Sequence, residues 1–261
     1  MIPKHHADAK EQTEEWKKWC SALFETGDYS DLRLVLGQKT YKAHRVVVFY
    51  HSAYIRDIHE QDGFSLMIRG QPFGPQDRKP AFAFENHRDA RAVDCVVQYF
   101  YRWDYEIPGH ARDAKVNTGM MYKEDACSST EDVMSLDGSD LITYVRIFAM
   151  ADKYGIHPLK SLSVAKFEAA APHFENTDHF VKAAREAYDS DNGVSDNARE
   201  MRDSIVEFIC KRRYLLHEDH IKKLMLDEPQ LSLDLHLRYA PNPVRPSSFH
   251  GLSTVFHQTR E

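Results

Sequence analysis

The sequence predicts an α+β domain, a small β-sheet flanked by a helical cluster, followed by an all-α C-terminal extension. Leu32, Leu34 and Leu36 alternate with Arg33 and Val35, the period of a strand with one strongly apolar face. Gly37-Gln38 then supplies a Gly-X pair suited to a tight II′ turn, with Thr40 and Tyr41 on the return strand. Helical periodicity follows, broken by one further strand, and the order hairpin, helices, strand, helices is an α+β order.

Residues 1–11 read as a mobile N-terminus. Trp16, Trp19, Cys20, Leu23 and Phe24 then fall at i, i+3, i+4, i+7 and i+8, one face of a helix that Gly27-Asp28 ends. Beyond the hairpin, Val46, Val47, Val48 and Phe49 begin a buried helical stretch. Ser52 is placed to cap the next helix, with Tyr54, Ile55 and Ile58 on its inner side. Residues 61–80 hold Gly63, Gly70, Pro72, Gly74, Pro75 and Pro80 and read as loop, with a short strand available at Phe64–Ile68. Phe82–Glu85 is a short strand, and Asp89–Tyr101 is a helix with Val93, Val96, Val97, Phe100 and Tyr101 inward.

Residues 106–139 have few apolar positions and no period, and Glu124–Asp140 is acidic and Ser-rich without Lys or Arg. Such composition buries too little surface to offset its ordering entropy, so the segment reads as a mobile insertion. Periodicity resumes at Leu141, Tyr144, Val145, Phe148 and Ala151 and stops at Gly155. His157-Pro158 opens a helix that carries Leu159, Leu162 and Phe167 and ends before Pro172. Residues 12–171 are thus the domain and 172–229 the extension. The extension has three amphipathic helices, carrying Phe180 to Tyr188 (cap Asn176 or Thr177), Met201 to Ile209 (cap Ser195 or Asp196) and Ile221 to Met225. Pro241, Pro243, Pro246 and Ser247-Ser248 make residues 230–261 an extended Pro-containing tail.

The whole chain of 261 residues carries a net charge of −6. Between Asp104 and Asp140 nine acidic residues face three basic ones, so that stretch holds the entire imbalance. No overall basic field exists to draw nucleic acid. No apolar run approaches the roughly 20 residues of a membrane span. The first residues lack the apolar core of a secretion signal. Cys20, Cys95, Cys127 and Cys210 lie far apart, without zinc or redox spacing, and fit a cytosolic or nuclear compartment.

The hairpin, the run Ala43-His44-Arg45 with Val47-Val48, Ser52, Tyr54 and Ile55, and the acidic Asp31 before the first strand resemble the first block of the BTB/POZ family. Phe82-Ala83-Phe84-Glu85 with Val96–Tyr101 and Tyr105 is similar to its second block, and Ala151-Asp152-Lys153-Tyr154 with Leu159 to its third. The resemblance extends over residues 12–171 and points toward the stand-alone BTB proteins common in fungi. Phe49 stands where a small residue is usual and Ile55 where Phe is usual, and both keep an apolar character. The resemblance implies a non-enzymatic interaction module that binds itself as a homodimer and binds other proteins. Two roles follow from it: adaptor for a cullin-type ubiquitin ligase, or dimerisation scaffold or transcription-associated regulator without a ubiquitin role. No kelch-like repeat of ~50 residues is visible.

Family likeness also implies that the N-terminal helix packs across a two-fold seam, which makes Trp16, Trp19, Leu23 and Phe24 candidate interface residues. The other reading folds that helix onto its own domain. In the family an acidic residue and a basic residue form a charged pocket at the seam, here Asp31 and Arg45. Otherwise Asp31 caps a turn and Arg45 lays its stem along a helix start. His44 reads as structural. No G-x-S-x-G, P-loop, Rossmann glycine pattern or H-E-x-x-H is present, so no catalytic, cofactor or metal site is assigned. Cys95, a lone thiol in an apolar helix, and His217 with His220 are the remote candidates for a cysteine or metal-dependent hydrolase. Lys211-Arg212-Arg213 suits a helix C-terminus better than a nucleic-acid patch. Ser128 and Ser129, each three residues before an acid, form a pattern that is common by chance in such composition.

Overall fold

The computed structural model describes residues 5–61, 80–84, 89–108, 137–189 and 198–240. After a long helix α1 (His5–Thr26) comes strand β1 (Leu32–Leu36), which is central in a three-stranded sheet. Strand β2 (Lys39–Ala43) pairs with it antiparallel and β3 (Ala81–Ala83) parallel. Leu36 pairs with Lys39, so Gly37-Gln38 is a two-residue turn. Gly37 has φ +57° and Gln38 has no positive φ, which together make a II′ turn.

Helices α2 (Arg45–His51) and α3 (Ala53–Gln61) form a hairpin joined at Ser52. The Ser52 hydroxyl accepts from the Ile55 N–H (3.1 Å) and donates to the Tyr154 carbonyl (2.7 Å), so one side chain both caps α3 and ties it to a distant helix. Helix α4 (Ala90–Arg102) is capped by Asp89, which accepts from the Arg91 N–H at 2.9 Å. All five residues expected on its inner face are buried. Helix α5 (Ser139–Lys153) ends in a Schellman turn. Gly155 sits at φ +68°, Gly155 N–H donates to Asp152 (3.1 Å) and Ile156 N–H to Ala151 (2.7 Å). Helix α6 (His157–Ala170) opens at Pro158, as expected.

Two apolar cores share α5. Ile147, Met150, Ala151 and Tyr154 close a core with β1, α2, α3 and α4. Leu141, Val145 and Phe148 face a second core with α7 (Asp178–Tyr188), α8 (Glu200–Lys211), α9 (Asp219–Asp227) and α10 (Pro229–Tyr239). An ionic seam runs beside them. Asp89 accepts from the Thr143 hydroxyl (3.2 Å) and the Arg146 guanidinium (3.4 Å), and Arg146 reaches on to Glu186 of α7 (2.7 Å). Burial works against the charge on Asp89. The Arg91 N–H and the Arg91 and Arg146 guanidinium groups outweigh it and hold the carboxyl below the usual range.

The structure corrects several expectations. Residues 229–239 are helix α10, not extended tail, because the prolines that signal extension begin only at Pro241 while Leu231 and Leu235 are buried in the second core. The first helix begins at His5 rather than beyond residue 11. At α7 the Thr177 hydroxyl donates to the Phe174 carbonyl instead of capping the helix. His217 and His220 do not share a helix: the first ends a 3₁₀ turn and the second lies in α9, with Glu218 between them. At the edges of the expected insertion, Ile107 is buried and Ser139 starts α5. The remainder of that insertion (109–136), the possible strand Phe64–Ile68, the caps Ser195 and Asp196, and residues 241–261 lie outside the described residues.

Candidate interaction surface

Helix α1 has 22 residues and α4 only 13, lengths of about 33 Å and about 20 Å at 1.5 Å per residue. The last turns of α1 pack on α4. There Cys20 and Leu23 are buried, Phe24 stacks on Tyr101 at 5.1 Å between ring centroids, and Arg102 bonds Glu25 at 3.3 Å. One turn earlier the same apolar stripe is uncovered. Trp16 is 54% exposed and Trp19 is 50% exposed, their ring centroids 4.9 Å apart. The four candidate interface residues therefore split: Leu23 and Phe24 serve their own domain, and Trp16 and Trp19 face outward.

The loop after α1 is fastened to the start of α2. His44 is buried, its Nε2 bonded to the Asp28 carbonyl at 2.6 Å and its Nδ1 to the Tyr101 hydroxyl at 3.0 Å. A carbonyl can only accept, so Nε2 carries the hydrogen and Nδ1 accepts from Tyr101. That hydroxyl in turn accepts from the His44 backbone N–H at 3.0 Å. His44 is structural, as read from the sequence. Asp31 and Arg45 meet differently from a charged pair. The Asp31 carboxylate accepts from the Arg45 backbone N–H at 2.8 Å, while the Arg45 guanidinium lies over the Phe49 ring, 5.4 Å from its centroid. Asp31 holds the first turn of α2, where an acceptor is favoured.

A second set of exposed apolar side chains was not legible as such. Val46 and Tyr54, expected to be buried and inward, are 76% and 43% exposed, and Tyr50 is 80% exposed. These three recur every fourth residue across α2 and α3, a spacing that could have flagged them. The inward side of α2 is taken by Val47 and Val48. His51 is enclosed by the rings of Tyr50, Tyr99, Phe100 and Trp103, at 5.1, 5.4, 5.8 and 5.5 Å. Burial lowers its pKa, against the opposing pull of the Phe100 carbonyl. Helices α1 and α2 both pack on α4.

Chemistry is poorly supplied elsewhere. Cys95 is fully buried with its thiol directed at the Glu106 carbonyl (3.6 Å), and burial pushes its pKa up, away from the thiolate a nucleophile needs. Among the described residues no three His, Cys, Asp or Glu side chains gather as metal ligands. Arg212 lies 4.0 Å from the Phe208 ring centroid and pairs with Glu175 at 2.8 Å, a structural use of one of the three clustered cations. Among the described residues no helix is long and apolar enough to cross a membrane.

No curated protein matches the sequence. The family model of the BTB/POZ domain matches residues 20–168, which spans the three-stranded sheet and helices α2 to α6. BTB/POZ domains are protein–protein interaction modules. With that match covering more than half of its length, the chain belongs to the BTB/POZ family.

Proposed function

We propose that this chain is a non-catalytic module that self-associates as a homodimer through the exposed tryptophans of α1 and the outer faces of α2 and α3. One observation carries the reading: Trp16 and Trp19 stand side by side on α1, each about half exposed. Paired indoles held on a helix are the side chains that dominate interface centres. Val46, Tyr50 and Tyr54 add exposed apolar side chains on α2 and α3. An isologous two-fold contact would cover every one of these residues twice. A cullin-type scaffold as a further partner follows from family resemblance alone. The inert setting of Cys95 and the separation of His217 from His220 leave the hydrolase readings without support.

Sedimentation equilibrium on the full chain tests the proposal. The wild type is expected to be dimeric at micromolar concentration, and the double variant Trp16→Asp/Trp19→Asp monomeric with an unchanged circular dichroism spectrum. A wild type that stays monomeric at high micromolar concentration defeats it.

A further inference from the structure

We infer that the C-terminal segment 241–261 docks back on its own chain, laying Phe249, Leu252 and Phe256 over Leu233 and Leu237 on the outer face of α10. The platform is rigidly placed. Leu231 and Leu235 turn one side of α10 into the second core. Between them Asp234 accepts from the Tyr188 hydroxyl (2.9 Å) and pairs with Arg199 (2.8 Å). At the end of the helix Arg238 pairs with Glu207, and the Tyr239 hydroxyl donates to the Cys210 carbonyl (3.4 Å). Helix α10 is thus fastened to α7 and α8 from its first turn to its last, and the point where the chain leaves it is fixed.

Leu233 and Leu237 each lie two residues beyond one of the core leucines. At about 100° per residue they face the opposite way. Their spacing of four makes them neighbours on one face of one helix. They are 48% and 62% exposed. Helix α10 therefore carries one apolar strip that the core covers and a second, on its outer side, that the described residues leave in water.

The occupant is argued from area, reach and sequence. Two leucines at those exposures offer on the order of 100 Å² of apolar surface. A stable contact between separate chains buries about 800 Å² on each, so this strip is too small to hold a free partner. A segment of the same chain needs far less, because a short linker keeps it at millimolar effective concentration. Pro241, Pro243 and Pro246 stop α10 from continuing and turn the chain off its axis. Residues 241–248 reach at most about 28 Å when extended, and Leu233 lies only about 10 Å back along the helix from Ala240. Beyond that spacer Phe249, Leu252 and Phe256 recur at i, i+3 and i+7, the spacing of a single apolar stripe. The segment thus supplies apolar side chains within reach of the strip that lacks a cover.

Amide exchange and thermal melts on the full-length chain test the contact, and they read it independently of any self-association when run at several dilutions. Phe249→Ser/Phe256→Ser is expected to speed exchange of the α10 amides about tenfold and to lower the melting temperature by about 3 °C. Leu233→Ser/Leu237→Ser should do the same. The two pairs combined should lose no more than either pair alone, because each removes the same contact. Phe249→Leu/Phe256→Leu keeps the apolar surface and should melt within about 1 °C of wild type. A Phe249→Ser/Phe256→Ser variant that exchanges and melts like wild type overturns the inference, and so do losses that add. Protection of α10 that strengthens with protein concentration would put the segment on another copy of the chain and overturn it as well.

Discussion

The two ends of the apolar stripe on α1 read alike in sequence and do different work. Cys20, Leu23 and Phe24 continue the stripe that Trp16 and Trp19 begin, at unbroken helical spacing. Yet the first set closes the domain's own core while the second is half in water. Spacing within α1 does not separate the two sets; packing against α4 does, through Phe24 on Tyr101 and Glu25 on Arg102. An amphipathic stripe shows that something must cover it, and the placement of the neighbouring element decides whether the cover is internal.

The sharpest way to break this contrast is to charge each half in turn. Leu23→Asp places an unpaired carboxylate at a buried site, and we expect it to destabilise the fold by several kcal/mol, enough to lose cooperative thermal unfolding. Trp16→Asp, two turns away on the same face, should leave monomer stability within about 0.5 kcal/mol of wild type. Equal destabilisation by both would mean that the whole stripe serves the internal core.

A smaller effect is expected at the ionic seam that joins the domain to its extension. Asp89 is buried and bonds Arg91, Arg146 and Thr143, so Asp89→Ala should cost about 3 kcal/mol in urea unfolding, mostly from the cations it leaves unpaired. Because α5 contributes to both cores, the transition should remain single, with α7 lost together with the sheet. Two separated transitions would show that the extension folds on its own.

Smaller again is a pH effect at His51. Its folded pKa lies below the ordinary 6.5, so in the window just below that value the unfolded chain binds more protons than the folded one. Stability from this site is therefore complete above pH 6.5 and is lost as pH falls through the folded pKa. His51→Gln should flatten that part of the stability-versus-pH curve, measured by thermal melts between pH 7.5 and about pH 5. An unchanged slope would place the acid sensitivity elsewhere. The least perturbing comparison uses thiols: under native conditions Cys210, partly exposed, should react with a thiol reagent, while buried Cys20 and Cys95 should stay protected.

Much of the fold could be read from local pattern. The hairpin was legible because alternation and a Gly-X pair at positions 32–41 leave few other structures open, and the end of α5 because Gly155 supplies the left-handed residue its turn requires. Helix α10 was missed because the tail prolines just beyond it dominated the local composition, although Leu231 and Leu235 carried a helical spacing. The candidate surface was legible only in part. Trp16 and Trp19 stand out by size, but nothing local separates them from Leu23. Val46 and Tyr54 looked buried because a Val-rich run and an aromatic resemble core, and which face of α2 turns inward depends on α4. Asp31 and Arg45 were paired by charge, whereas the backbone amide of Arg45 is what Asp31 holds. For the exposed apolar residues the missing information was burial, and for Asp31 it was the backbone partner.

Tryptophan emission tests most directly whether α1 carries the interface. The chain has three tryptophans, Trp16, Trp19 and Trp103, so Trp103→Phe leaves only the pair on α1 as reporter. At tens of micromolar the expected emission is that of shielded indoles, shifting to the red on dilution in step with the fall in mass from dimer to monomer. Emission of fully hydrated indoles at every concentration, whether or not the mass changes, would contradict the assignment.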